Sequence, residues 1–172
     1  MNGVPNTAFT EANAFVFQKR DLQLLGYGKT NEAQAKMNEL DIFWGAYEIM
    51  GVALVDINVW KWMYAHPECT AEQLKDAVIA AAKDVWNKYY EPVLGGKDSP
   101  ILAIYSHMIN SPLYLANYPL GHIIEYQLEQ FYKGKNLAKE IMRIYSLGNL
   151  APQERIVQAV GERISTKAML RE

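Results

Sequence analysis

Between Thr30 and Ala65 the chain carries Ala33, Met37, Leu40, Trp44, Tyr47, Gly51, Leu54 and Asn58 at alternating steps of three and four. Such steps return a side chain to the same face of an α-helix. The spacing predicts one helix, capped by Thr30, with Glu32 in its first turn and His66-Pro67 beyond its end. Its stripe should be packed along much of the helix. A helix this long is expected to kink near Gly45 or Gly51. The same period governs nearly all of the remaining sequence. No alternating strand pattern, internal repeat or low-complexity tract interrupts it. The expected fold is therefore all-α, with residues 1–172 forming a single all-helical domain or subdomain and no obvious internal boundary.

The punctuation supports this reading. A first helix is expected from about Ala8 to Leu25, stopped by Gly26-Tyr27-Gly28. Thr70-Ala71-Glu72-Gln73 is a capping box, in which hydroxyl and amide each satisfy an end donor. It opens a helix carrying Leu74, Val78, Ala81, Val85 and Tyr89 before Pro92. Gly95 to Pro100 reads as a loop. Ser111-Pro112 reads as an N-cap followed by proline at the first helical position. That helix should reach about Tyr132, with a kink or restart at Pro119. Asn136 opens a helix ending at Gly148, Pro152 opens a short one ending at Gly161, and a last turn follows Ser165.

Composition removes several classes. A chain of 172 residues can bury a real core, and half of its residues are hydrophobic. The net charge is only -2, with both signs interspersed, so no nucleic-acid partner is expected. Cys69 is the only cysteine and has no basic neighbour, so it reads as an ordinary thiol. There is no glycine-rich phosphate loop, no Cys-x-x-Cys and no Gly-x-Ser-x-Gly. No signal pattern opens the chain. Its longest apolar stretch, Gly51 to Val55, is broken by Asp56, so no membrane span is expected and the compartment is left open. Gly3 and Pro5 followed at once by a helix read as the end of a loop, as if the chain continued something upstream.

Two clusters could carry chemistry. Glu11, Phe15, Gln18, Leu22 and Leu25 share one face of the first helix, so a carboxylate heads a largely apolar stripe. On the packed side it must be paired, hydrogen-bonded or metal-bound. In the first helical turn it is equally a wet group favoured by the helix dipole. Further on, His107 precedes a helix start, and Tyr114, Tyr118, His122 and Glu125 fall along one side. Tyrosine and histidine can donate to a developing oxyanion, whereas the plainer reading is aromatic packing. His122, Glu125 and Glu129 read better as an exposed polar face than as metal ligands. Asp56 and Asn58 read as hydrogen-bonded core or edge residues. His66, at a helix end, reads as a surface residue.

Taken in order, these motifs resemble the C-terminal half of the catalytic domain of helical zinc oligopeptidases: oligoendopeptidase F, thimet oligopeptidase and, more distantly, angiotensin-converting enzyme. Asn6-Thr7-Ala8-Phe9-Thr10-Glu11-Ala12 looks like the family's Asn-Pro-Gly-Phe-His-Glu-Ala, with Glu11 at the third zinc-ligand position. His107-Met108, Ser111-Pro112-Leu113-Tyr114, Tyr118 and Gly121 are similar to the family's downstream His-Phe, Pro-Phe-Tyr, Tyr and Gly. Tyr145 to Pro152 is similar to its Ser-Gly, short-gap, Pro segment. The resemblance implies an irregular multi-helix array, Glu11 as a metal ligand, His107 as a substrate-binding residue, and Tyr118, with Tyr114 second, as the oxyanion donor.

The zinc-binding His-Glu-x-x-His helix is absent; His66, His107 and His122 are the only histidines. One glutamate cannot hold a catalytic zinc, which takes about three protein ligands. The resemblance thus implies zinc and a peptide substrate for an intact parent, with the missing N-terminal half of the domain as partner. This chain alone is expected to bind no metal and to be inactive. The alternative is a non-catalytic helical module for peptide binding or oligomerisation. In it, apolar surface exposed by the missing half would drive self-association.

Overall fold

The computed structural model describes residues 6–28 and 31–171; the cap expected at Thr30 lies outside them. Among the described residues all regular structure is helical. The elements are α1 (Thr7–Gln18), α2 (Asp21–Leu24), α3 (Glu32–Ala65), α4 (Ala71–Tyr89) and α5 (Glu91–Leu94). A 3-10 turn (Ile101–Ala103) follows, then α6 (His107–Asn110), α7 (Asn117–Tyr132), α8 (Leu137–Tyr145), α9 (Pro152–Val160) and a 3-10 turn (Met169–Arg171). The chain divides into two compact units, one of residues 1–41 and 120–172, the other of residues 42–119. The division falls within α3 and within α7.

In the first unit, Asn6 caps α1, its Oδ1 accepting the Ala8 amide at 3.0 Å. The helix stops at Gln18 rather than at Leu25. The Arg20 guanidinium donates to the Val16 carbonyl at 2.6 Å, the oxygen its own amide would use in a continuing helix. That amide turns to Phe17 O instead. The packed face of α1 is Ala8, Phe9, Ala12 and Val16, against Ile124 and Leu128 of α7, Ile144 of α8 and Ile156 of α9. The expected stripe from Glu11 is therefore out of phase. Glu11 and Phe15 flank the contact, and Leu25 is 69% exposed.

Asn136 caps α8, as its position predicts, accepting the Lys139 amide at 3.0 Å. α9 opens on Pro152 and ends at Gly161, whose φ of 87° suits a residue without a Cβ. Arg155 is buried between these helices. It donates to Gly148 O at 2.8 Å and lies 5.0 Å from the Phe9 ring centroid.

In the second unit, the inner face of α3 is Val52, Val55, Asp56 and Val59. The stripe read from spacing is again displaced. Tyr47 and Gly51 face inward, but Trp44, Leu54 and Asn58 are exposed, as are Met37 and Leu40 on the part of α3 that belongs to the first unit. Gly51 marks a close approach inside an unbroken helix. A Cβ there would lie 2.1 Å from Tyr90 Oη, which donates to Tyr47 O at 2.6 Å. By length and composition α3 could cross a membrane, with a window of mean hydropathy 1.4, of which 39% is buried. Asp56 interrupts the Gly51 to Val55 run without ending the apolar character of the helix.

The Thr70 capping box forms as expected, with Thr70 N donating to Gln73 Oε1 at 2.9 Å and Gln73 N to Thr70 Oγ1 at 3.3 Å. Ser111-Pro112 does not open a helix. α6 ends there, Leu113 has a φ of 58°, and α7 restarts at Asn117. Pro119 then sits in the first turn of α7, where its missing N–H leaves no helix bond unmade.

Candidate functional site

Glu11 stands near the N-terminal end of α1, partly exposed, on the flank of the α1–α7 contact. Gly121 fixes the spacing of that contact: a Cβ there would lie 2.9 Å from Glu11 Cβ and 3.1 Å from Ala8 O. One turn along α1, the Phe15 ring lies flat on His122, with centroids 3.8 Å apart and 5° between planes.

The polar face expected at His122, Glu125 and Glu129 is not exposed. His122 is 8% exposed and Glu125 is fully buried. The Lys19 ammonium lies 2.7 Å from Glu125 Oε1 and 4.5 Å from the Tyr126 ring centroid. This ion pair lacks hydrogen-bond directionality, since neither Glu125 oxygen gains a hydrogen bond among the described residues. His122 Nδ1 is 3.6 Å from Glu125 Oε2. Glu129 takes a two-pronged bond from Arg20, at 2.6 and 2.8 Å. Glu125 can be buried and Glu129 half-buried because Lys19 and Arg20 come to meet them just beyond the C-terminal end of α1. Nothing in the local spacing of α7 could signal that.

The second unit holds the other three expected site residues, and they form a ladder of rings. His107 stacks on Tyr114 (centroids 5.9 Å, 14°), and Tyr114 meets Tyr118 edge-on (5.5 Å, 83°). All three are partly exposed. Tyr114 lies in the loop ahead of α7, not on a helix. Its carbonyl accepts from the backbone amide of Asn117 at 3.0 Å and from the Asn117 side chain at 2.9 Å.

Asp56 is a residue whose part in this cluster spacing did not reveal. Its carboxylate is fully buried on α3, facing the amides of Leu113 and Leu115, which bracket Tyr114, and the Trp60 indole. None of these reaches full hydrogen-bond geometry. Burial raises the Asp56 carboxyl above its ordinary value, and the three donors only partly offset it. Tyr105, just before the ladder, donates to Glu48 Oε1 at 3.2 Å, and burial raises its hydroxyl too.

His66 is exposed, as expected, stacked on Trp62 with its Nδ1 2.8 Å from Trp62 O. Among the described residues, no group of three or more His, Cys, Asp and Glu is placed to hold a metal ion. Glu11 offers a single carboxylate, so the donor set among the described residues does not by itself fit zinc. Compared with models of known protein families, with curated proteins and with solved structures, the chain matches none.

Proposed function

We propose that the chain is the C-terminal portion of a zinc metallopeptidase-like catalytic domain whose intact parent hydrolyses peptide bonds. The observation that supports this most directly is the His107–Tyr114–Tyr118 ladder, three partly exposed hydrogen-bonding rings in which Tyr114 touches each of the other two. In the reading, the His107 imidazole and the Tyr118 hydroxyl donate to the carbonyl oxygen of a bound peptide as it gains charge. Tyr114 holds the plane of His107 and is the reserve donor. Glu11 is a metal ligand that needs partners from outside this chain. Activation of the attacking water therefore belongs to residues this chain lacks, and the chain alone is inactive.

The test starts from the coding sequence upstream of Met1, where an in-frame His-Glu-x-x-His is expected. The longer polypeptide should bind zinc, measured by elemental analysis, and cleave internally quenched peptides. Glu11→Ala should release the zinc. Tyr118→Phe should keep it while lowering kcat about a hundredfold. Full zinc retention in Glu11→Ala would sink the assignment.

A second reading, a non-catalytic helical module for peptide binding or assembly, draws on α3, where Met37 and Leu40 are each 63% exposed. Apolar side chains left open on a long helix invite association. Light scattering over a concentration series tests it, and a constant monomer mass would count against self-assembly.

A further inference from the structure

We infer that residues 42–119 contain a binding pocket for a small anionic amphiphile, a molecule with an apolar chain and a carboxylate-like head. This inference does not depend on the peptidase reading. A cavity of about 500 Å³ opens between the end of α3, the start of α4 and the segment leading into α6. α3 contributes Val59, Trp60 and Met63, and α4 contributes Leu74 and Val78. That volume lies within the range of small-molecule sites, which bury most of one ligand in a mainly apolar lining with few polar groups.

The lining also says what kind of head group fits. Among the described residues that line the cavity, Lys75 is the one charged side chain. It is exposed and has no ion-pair partner among the described residues. A strongly hydrated cation at the rim of an apolar cavity complements a ligand that is apolar at one end and anionic at the other. A neutral apolar molecule would leave Lys75 unused, and a cationic amphiphile would be repelled by it. The concave shape suits one small molecule better than a broad protein surface.

The experiment uses the full chain and three probes below their micelle concentrations: decanoate, decanol and decyltrimethylammonium. Binding is followed by calorimetry and by tryptophan fluorescence, since Trp60 lines the cavity. Decanoate should bind saturably, and Trp60→Phe should remove most of the fluorescence change while binding heat remains. Lys75→Glu, at an exposed position, should weaken decanoate at least about fivefold and leave decanol unchanged. Val78→Trp should block both, with circular dichroism confirming that it folds. No saturable binding, equal decanoate affinity in Lys75→Glu, or decyltrimethylammonium binding as tightly as decanoate would each overturn the proposal. So would a homodimer that decanoate dissociates and Val78→Trp abolishes, because the natural occupant would then be a second copy.

Discussion

Glu11 and Gly121 set the separation of α1 and α7: a Cβ on residue 121 would stand 2.9 Å from Glu11 Cβ, 3.1 Å from Ala8 O and 3.2 Å from Ala12 N. Two of those atoms are backbone, so relief requires moving a helix rather than turning a side chain. Alanine normally favours a helix interior over glycine by about 1 kcal/mol. Here overpacking should outweigh that gain, because forced insertion into a packed contact costs about 1–3 kcal/mol. Gly121→Ala should therefore lower the urea midpoint, whereas Gly134→Ala in the same unit, with open space around it but a φ of 75°, reports backbone strain alone. A midpoint for Gly121→Ala at or above the parent value would mean that the helices are not held this closely.

This contact explains what spacing revealed and what it hid. Signals contained within a few residues were legible: the Thr70–Gln73 box, the Asn136 cap, and the glycine stop at Gly161. Periodicity revealed that α1 and α3 are helices but not which face is inside. On α1 the buried face runs through Ala8, Phe9, Ala12 and Val16 rather than through Glu11, Phe15 and Gln18, because small alanines admit α7 at Gly121. On α3 the valines at 52, 55 and 59 are inside, while Leu54 is 39% exposed. The phase of a helix is set by its partner, and a single sequence does not name the partner. For the same reason His107, Tyr114 and Tyr118 could be named as a cluster from the sequence, but the buried Asp56 facing the Leu113 and Leu115 amides could not.

The Lys19–Glu125 pair should behave as a buried ion pair. Glu125 is fully buried, and Lys19 is its near cation at 2.7 Å. Removing one partner of such a pair leaves an uncompensated charge and costs about 3–5 kcal/mol. Lys19→Met should fall near the lower end, since Lys19 itself keeps some solvent contact. Glu125→Gln removes the orphan charge, so Lys19→Met with Glu125→Gln should be less destabilised than the sum of the single changes. Chemical denaturation of the four proteins measures this coupling, and strict additivity would show that the two groups do not interact.

Arg155 is a different kind of buried cation. It is 1% exposed, and it is answered by the Gly148 carbonyl at 2.8 Å and the face of Phe9 rather than by an acid. Burial accordingly lowers its guanidinium from the ordinary value. Arg155→Ala empties a large buried volume and frees the Gly148 carbonyl, so a loss of about 3–5 kcal/mol is expected. Arg155→Met restores most of the volume without the charge and should recover more than half of that loss. If the methionine variant is no better than alanine, the hydrogen bonds of Arg155 outweigh its packing.

Asp56 carries the pH prediction. Its folded carboxyl is raised above the ordinary value of 3.8, first by burial, and the Leu113 and Leu115 amides and Trp60 lower it only in part. The folded protein thus holds this proton more tightly than the unfolded chain does. The stabilisation is fully present below 3.8, is lost as pH rises through the folded value, and changes no further above it. Asp56→Asn keeps the shape and one acceptor oxygen but has no proton to lose. Urea unfolding of both proteins from about pH 4 to about pH 7 isolates this group, because all other titrations are shared. The stability of Asp56→Asn relative to the parent should rise across that window. Because Leu113 and Leu115 bracket Tyr114, quenching of tyrosine emission by acrylamide should show whether the ring ladder loosens as Asp56 ionises. A stability difference that is flat or falls with pH would mean that Asp56 does not hold its proton more tightly in the folded state.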